Sequence, residues 1–174
     1  MSSLNPSEEI EPVTVISDTS PISYLVLIGA EDVLPALYGH VLIPKAVRRE
    51  LGHPQGPEAV RNWIEASPHW LSVRSIRTEG GERGENPLQS LDPGEREAIL
   101  LASREDARLL LIDERAGRKI ARARGLELTG TIGVLGAAVK NGHLDAAPTV
   151  QALRSTTFRA SPDLYRWLLR QEQN

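Results

Sequence analysis

The chain of 174 residues has no cysteine, so neither a disulfide framework nor a thiolate metal site can form in it. It has no excess of basic charge either. Its 20 lysines and arginines face 23 aspartates and glutamates, for a formal charge of −3. Charge alone therefore does not hold it to a nucleic acid backbone, although cations bound among its acids would reverse the local sign. No apolar stretch is long enough to span a bilayer, and the run at 22–28 is far too short. Residues 1–12 lack the basic start and apolar segment of a signal peptide; polar and acidic, they read as a disordered extension. The expectation is a soluble, cytoplasmic protein without a membrane partner. The four histidines, His40, His53, His69 and His143, are scattered without the spacing of metal ligands.

With 40% of its residues apolar, a chain of this length can build one domain with a proper core, expected over 13–170. The organising stretch is Val13-Thr14-Val15-Ile16-Ser17-Asp18-Thr19-Ser20-Pro21. Its unalternating apolar run reads as a strand buried on both faces, ending at an acid, with Pro21 opening a helix. The pattern returns at Leu109-Leu110-Leu111-Ile112-Asp113-Glu114, again a fully apolar strand closed by an acid. Val41-Leu42-Ile43 is another buried strand, 70–76 a half-exposed one, and 126–129 a short one. Helices are expected at 21–28, 31–37, from Pro44 onward, 57–66, from Pro93, 115–124, 132–140 and in two C-terminal segments. Residues 77–90, rich in glycine and charge, have no apolar period and read as a flexible loop, a lid beside the site.

Strands alternating with helices predict a three-layer α/β/α fold with a mainly parallel sheet. Right-handed crossovers bring the carboxyl ends of the strands to one edge, where ligands bind in such folds. Asp18 and Asp113 end on that edge. Alone, Asp18 is most simply a helix cap. Glu50 shares a helical face with Ala46, Val47 and Leu51, and a salt bridge at the helix end is its simplest role. Glu95 stands three residues past Asp92 in capping-box spacing, yet it also heads the apolar stripe Ala98, Ile99 and Ala102. Glu97 lies about 200° round the helix from Glu95. Arg115, Arg118, Lys119, Arg122 and Arg124 suit a solvated face or a phosphate-facing rim, with Arg118 nearest the site.

Carboxylates brought within about 4 Å of one another repel by roughly 4 kcal/mol per pair at an effective dielectric near 20. Such a cluster raises its pKa values or takes up a divalent cation. With no histidine or cysteine in the set, Mg²⁺ or Mn²⁺ suits it better than zinc. That combination points to phosphodiester hydrolysis. A phosphotransferase with an aspartyl nucleophile would want an acid where Ser20 stands, and a receiver domain an acid where Ser17 stands.

Asp18-Thr19-Ser20-Pro21, Ile43-Pro44 with Val47-x-x-Glu50-Leu51, Gly94-Glu95-x-Glu97-Ala98-Ile99, and Asp113 together resemble a PIN domain. More narrowly, they resemble the PIN-like subgroup related to the toxin ribonucleases of toxin–antitoxin pairs. The similarity extends over roughly residues 13–170. It implies that Asp18, Glu50, Glu95 and Asp113 hold Mg²⁺ or Mn²⁺ and carry the cleavage of single-stranded RNA. It also places Thr131 near the site. From their own positions, Arg118 is the candidate for binding phosphate, and Thr19 and Glu97 are candidates for supporting or substitute roles. Glutamate replaces the family's commoner aspartate at the third acid. A homodimer is expected, through apolar surface at 31–37 and at Leu164, Trp167 and Leu168, and an antitoxin-like protein is a candidate partner. The competing reading is a non-catalytic binding module of the same fold with an idle metal site.

Overall fold

The computed structural model describes residues 13–77 and 86–173. Its elements follow in the order β1 (Val15–Ser17), α1 (Thr19–Leu27), α2 (Val33–Tyr38), β2 (Val41–Pro44), α3 (Lys45–Leu51), α4 (Glu58–Ala66) and β3 (Leu71–Arg74). After them come a 3-10 turn (Pro87–Ser90), α5 (Pro93–Arg104), β4 (Leu109–Leu111), α6 (Arg115–Ala123), β5 (Leu128–Thr129), α7 (Thr131–Lys140), α8 (Ala146–Arg154) and α9 (Pro162–Leu169).

All five strands pair in parallel, in the order β3-β2-β1-β4-β5. Successive side chains of a strand leave on opposite faces, so an apolar run without alternation must be covered twice. That is what happens. Val15, Ile43 and Leu111 enter the core beneath α1, α2 and α7. Ile16, Leu42, Leu110 and Ile112 enter the core beneath α5 and α6. Each such fully buried aliphatic side chain contributes roughly 1.5–3 kcal/mol relative to exposure. The sheet is thus the middle layer of an α/β/α sandwich, as the sequence predicts.

The topology also fixes where a ligand can sit. From β1 the chain builds outward to β2 and β3 on one side, then crosses back to lay β4 and β5 on the other. The reversal falls between β1 and β4, and the crevice beyond such neighbouring strand ends is the usual binding position. Ser17 is in register with Leu111, and the Asp18 N–H still donates to the Leu111 carbonyl at 2.9 Å. Asp18 is therefore held in the sheet by its backbone while its side chain leaves at the sheet's carboxyl edge.

Three expectations change. First, α1 begins at Thr19 rather than Pro21. Proline is tolerated inside the first turn because the amide it lacks has no intrahelical acceptor there. Second, residues 86–90 are ordered rather than loop: Leu88 is buried among the α5-side core residues, and its N–H binds the Asn86 side chain at 3.0 Å. Arg96 grips this turn through the Leu88 and Leu91 carbonyls, both at 3.0 Å. A single leucine has no period to read, which hides it in the sequence. The remainder of the expected loop, 78–85, and the expected extension at 1–12 lie outside the described residues. Third, Val33, Leu34 and Leu168 are core, so the surface expected for assembly keeps Leu164 (46% exposed), Trp167 (37%), exposed Ala36 and half-buried Leu37. No helix among the described residues is long and apolar enough to cross a membrane.

Candidate metal centre

Asp18 occupies the cap position of α1 yet makes no side-chain cap bond. It is 3% exposed, and its Oδ1 is buried without a hydrogen-bond partner. Burial pushes its carboxyl up to about 7; the Thr19 amide offsets part of this, and the charges of Glu95, Glu50 and Asp113 push it further. Those three neighbours are the acids that the sequence picks out. They come from α5, α3 and the end of β4, so the fold gathers four distant carboxylates around one strand end.

Glu50 projects from α3 toward the start of α5. Its Oε1 accepts the Gly94 N–H at 2.9 Å, and its Oε2 accepts a short hydrogen bond from the Thr19 hydroxyl. The salt bridge that its place near the helix end suggests is not formed: among the described residues no cation stands within ion-pair distance of it. The positive end of the α5 dipole serves instead. Glu95 closes the capping box of α5, with the Asp92 N–H reaching its Oε2 at 3.4 Å. Its Oε1 is buried and unpartnered, and burial is the main cause that raises its pKa, with Asp92, Glu114 and Glu50 adding repulsion. Capping and site duty thus fall to different oxygens of one side chain.

Asp113 is bound on both sides by Thr131, whose N–H reaches Oδ1 at 2.7 Å and whose hydroxyl reaches Oδ2 at 2.6 Å. Burial raises its pKa, while the two Thr131 bonds and the Arg118 charge hold it down. Arg118 is half-buried, unlike exposed Arg115, Lys119, Arg122 and Arg124, and its Nη1 donates to the Ile112 carbonyl at 2.9 Å. Glu97 points elsewhere. Its Oε2 accepts the Ala46 N–H at 2.9 Å in the first turn of α3, and its Oε1 lies 4.0 Å from Arg49. It braces α3 against α5.

Sequence reasoning assigns no role to three glycines that the structure places against the acids. A Cβ on Gly94 would overlap the Glu50 carboxylate, one on Gly117 would come within 3.0 Å of Glu95 Oε1, and one on Gly130 within 2.6 Å of Asp113 Oδ1. Each lies at the start of a helix (α5, α6, α7); each bare Cα leaves room for an acid, and at Gly117 also for the Ile112 side chain, whose Cδ1 a Cβ would meet at 2.7 Å. The available signal is a glycine inside a helix, as at positions 94 and 117, where alanine would be the better helix former.

The donor set is all oxygen and hard, which fits Mg²⁺ or Mn²⁺. Two buried orphan oxygens and a strongly raised carboxyl are what an anionic site shows when its counter-charge is a cation rather than the protein's own. Among the described residues, no three acids are grouped so as to enclose an ion by themselves. The hydrogen bonds to Glu50 and Asp113 hold these carboxylates in their present places.

A family model described as a PIN domain matches residues 14–174, nearly the whole chain. No curated protein matches it.

Proposed function

The chain belongs to the PIN-domain family, and from that premise we propose that it is a divalent-metal-dependent endoribonuclease acting on single-stranded RNA. The family points generally to metal-dependent nucleases. The observation that carries the reading is Asp18: a buried carboxylate with a free oxygen, raised to about 7 and repelled by three further acids at the switch point of the sheet.

Asp18 and Glu95 would hold the ion through their unpartnered oxygens, with Glu50 and Asp113 completing the carboxylate set. When bound there, Mg²⁺ or Mn²⁺ would supply an activated water and positive charge for phosphodiester hydrolysis. The chain's own groups do the rest. Thr19 and Gly94 aim Glu50, Thr131 fixes Asp113, and Arg118 offers a positive charge to a scissile phosphate beside Asp113. The same reading extends to a toxin of a toxin–antitoxin pair, working as a homodimer with an antitoxin-like protein as partner. Leu164, Trp167 and Leu169 are the exposed apolar residues of α9 that it draws on, and light scattering tests it.

A non-catalytic binding module is the second reading, favoured by the lack of a ready three-acid enclosure among the described residues. One assay separates the two. Purified protein is incubated with single-stranded RNA, with Mn²⁺ or with EDTA, beside the Asp18→Asn variant. Cleavage that needs both Mn²⁺ and Asp18 supports the nuclease; RNA left intact in every arm supports the binding module.

A further inference from the structure

A cavity of about 730 Å³ opens from the Asp113 side of the acid cluster, bounded by α1, α6, α7 and the segment 157–167. The chain is poor in aromatic residues, with three Trp, three Tyr and one Phe. Three of those seven rings, Tyr24, Phe158 and Trp167, line this one cavity. Tyr24 comes from α1, whereas Phe158 and Trp167 both belong to the segment 157–167, so the fold brings two distant stretches of sequence together here. The rings are also fixed. Tyr24 and Phe158 pack edge to face, with centroids 4.9 Å apart at 81°, and the Tyr24 hydroxyl is 3.1 Å from that of Thr157. Trp167 lies on Gly136, where any Cβ would overlap the indole.

We propose that this cavity is a nucleobase subsite, taking one unstacked base of the RNA strand whose phosphodiester lies at Asp113. The proposal rests on the nuclease reading and adds to it how the strand is held. Three observations commit it to a base. Asp113 belongs to both the acid cluster and the cavity wall, so a strand cut at the first passes the mouth of the second. Aromatic rings bind the π-face of any base, and this is the common mode for single strands, whose bases are free to turn out. Arg118 and Arg159, both in the lining, place positive charge where the phosphates flanking a turned-out base would run. Pre-set rings also lower the ordering cost of binding. The volume is that of a pocket for a ligand of a few hundred daltons, and a base with its ribose fits within it.

The test uses the full chain carrying Asp18→Asn, without cleavage, and measures fluorescence anisotropy of labelled oligomers. The probes are a short oligoadenylate and a ribose-phosphate oligomer of equal charge with abasic positions. The oligoadenylate should bind about tenfold or more tightly than the abasic oligomer, and its binding should quench tryptophan emission. Trp167→Leu, which keeps an apolar group on Gly136, should remove most of that preference, and Arg159→Ala should weaken both oligomers alike. Circular dichroism checks the fold of each variant; should Trp167→Leu unfold, Phe158→Leu takes its place. Equal affinity for the two oligomers overturns the subsite, whatever the variants do. So does a preference for bases that survives loss of the ring, which leaves the α9 surface to a protein partner. Parallel cleavage assays on the parent keep the two readings apart: cleavage without base preference sinks the subsite alone, whereas base preference without cleavage sinks the nuclease alone.

Discussion

Thr131 holds both oxygens of Asp113, one with its backbone N–H and the other with its hydroxyl, at 2.7 and 2.6 Å. This joins the end of β4 to the first turn of α7 and offsets part of the rise that burial causes in the Asp113 pKa. Thr131 is fully buried, so valine fills its place and deletes only the hydroxyl. Thr131→Val should cost about 1.5–3 kcal/mol at neutral pH, the worth of a hydrogen bond to a charged group. The variant raises the folded pKa of Asp113 further, so the loss should shrink as pH falls and Asp113 takes up its proton. Urea titrations at neutral and acid pH check this; a loss independent of pH would show that the hydroxyl does not stabilise charge.

Asp18 gives the clearest pH signature. Its carboxyl is raised from 3.8 to about 7, so the folded state binds the proton more tightly than the unfolded one. Stability without metal should therefore fall as pH rises from about 4 to about 7, and stay low above that. The interval corresponds to roughly 4 kcal/mol as an upper bound. Asp18→Asn removes the penalty. In EDTA it should melt above the parent at pH 8 and level with it near pH 4. A variant that melts lower at pH 8 would show that the Asp18 charge stabilises the folded protein without metal.

Metal should reverse the order. An ion that binds only the folded protein stabilises it by about 2.7 kcal/mol at a hundred times its Kd. Mn²⁺ should raise the melting temperature of the parent, with little effect on Asp18→Asn. Equal shifts in the two proteins would place the ion elsewhere.

Glu95 and Glu97 stand two residues apart and should behave oppositely. Glu95→Gln keeps the capping box and removes a repelled charge, so it should preserve or raise stability in EDTA while abolishing cleavage. Glu97→Ala removes the acceptor for Ala46 at the start of α3, costing about 1 kcal/mol and leaving cleavage within a few-fold of the parent. Melting curves and cleavage rates on the two variants decide it; loss of cleavage in Glu97→Ala alone would exchange their roles.

Gly94→Ala should separate folding from function. Alanine is the better helix former by up to about 1 kcal/mol, and the atoms it meets are the far end of the Glu50 side chain, which can swing away. Swinging Glu50 away gives up its bonds from Gly94 and Thr19, which offsets the helix gain. Stability should therefore change by no more than about 1 kcal/mol while Mn²⁺ affinity and cleavage drop at least tenfold. Calorimetric titration of Mn²⁺ reads the first effect, and an unchanged affinity would show that Glu50 does not reach the ion.

The amino-acid sequence by itself determined the layers and the sheet. Apolar runs without alternation, such as 109–112, can be satisfied only between two helical layers, and parallel crossovers put Asp18 and Asp113 on one edge. It also marked Asp92 and Glu95 as a capping pair, because that bond spans three residues. What the tertiary structure alone decided is reach across distance. Glu50 trades its expected ion pair for Thr19 and Gly94, 31 and 44 residues away, because α3 packs against α5 and α1. Glu97 leaves the site for the start of α3 because the same packing offers it an unpaired amide. Tyr24, Phe158 and Trp167 share a cavity only once α9 lies on α7. Periodicity reports which face of an element is apolar, whereas hydrogen bonds between elements depend on which faces meet, and no local pattern encodes that.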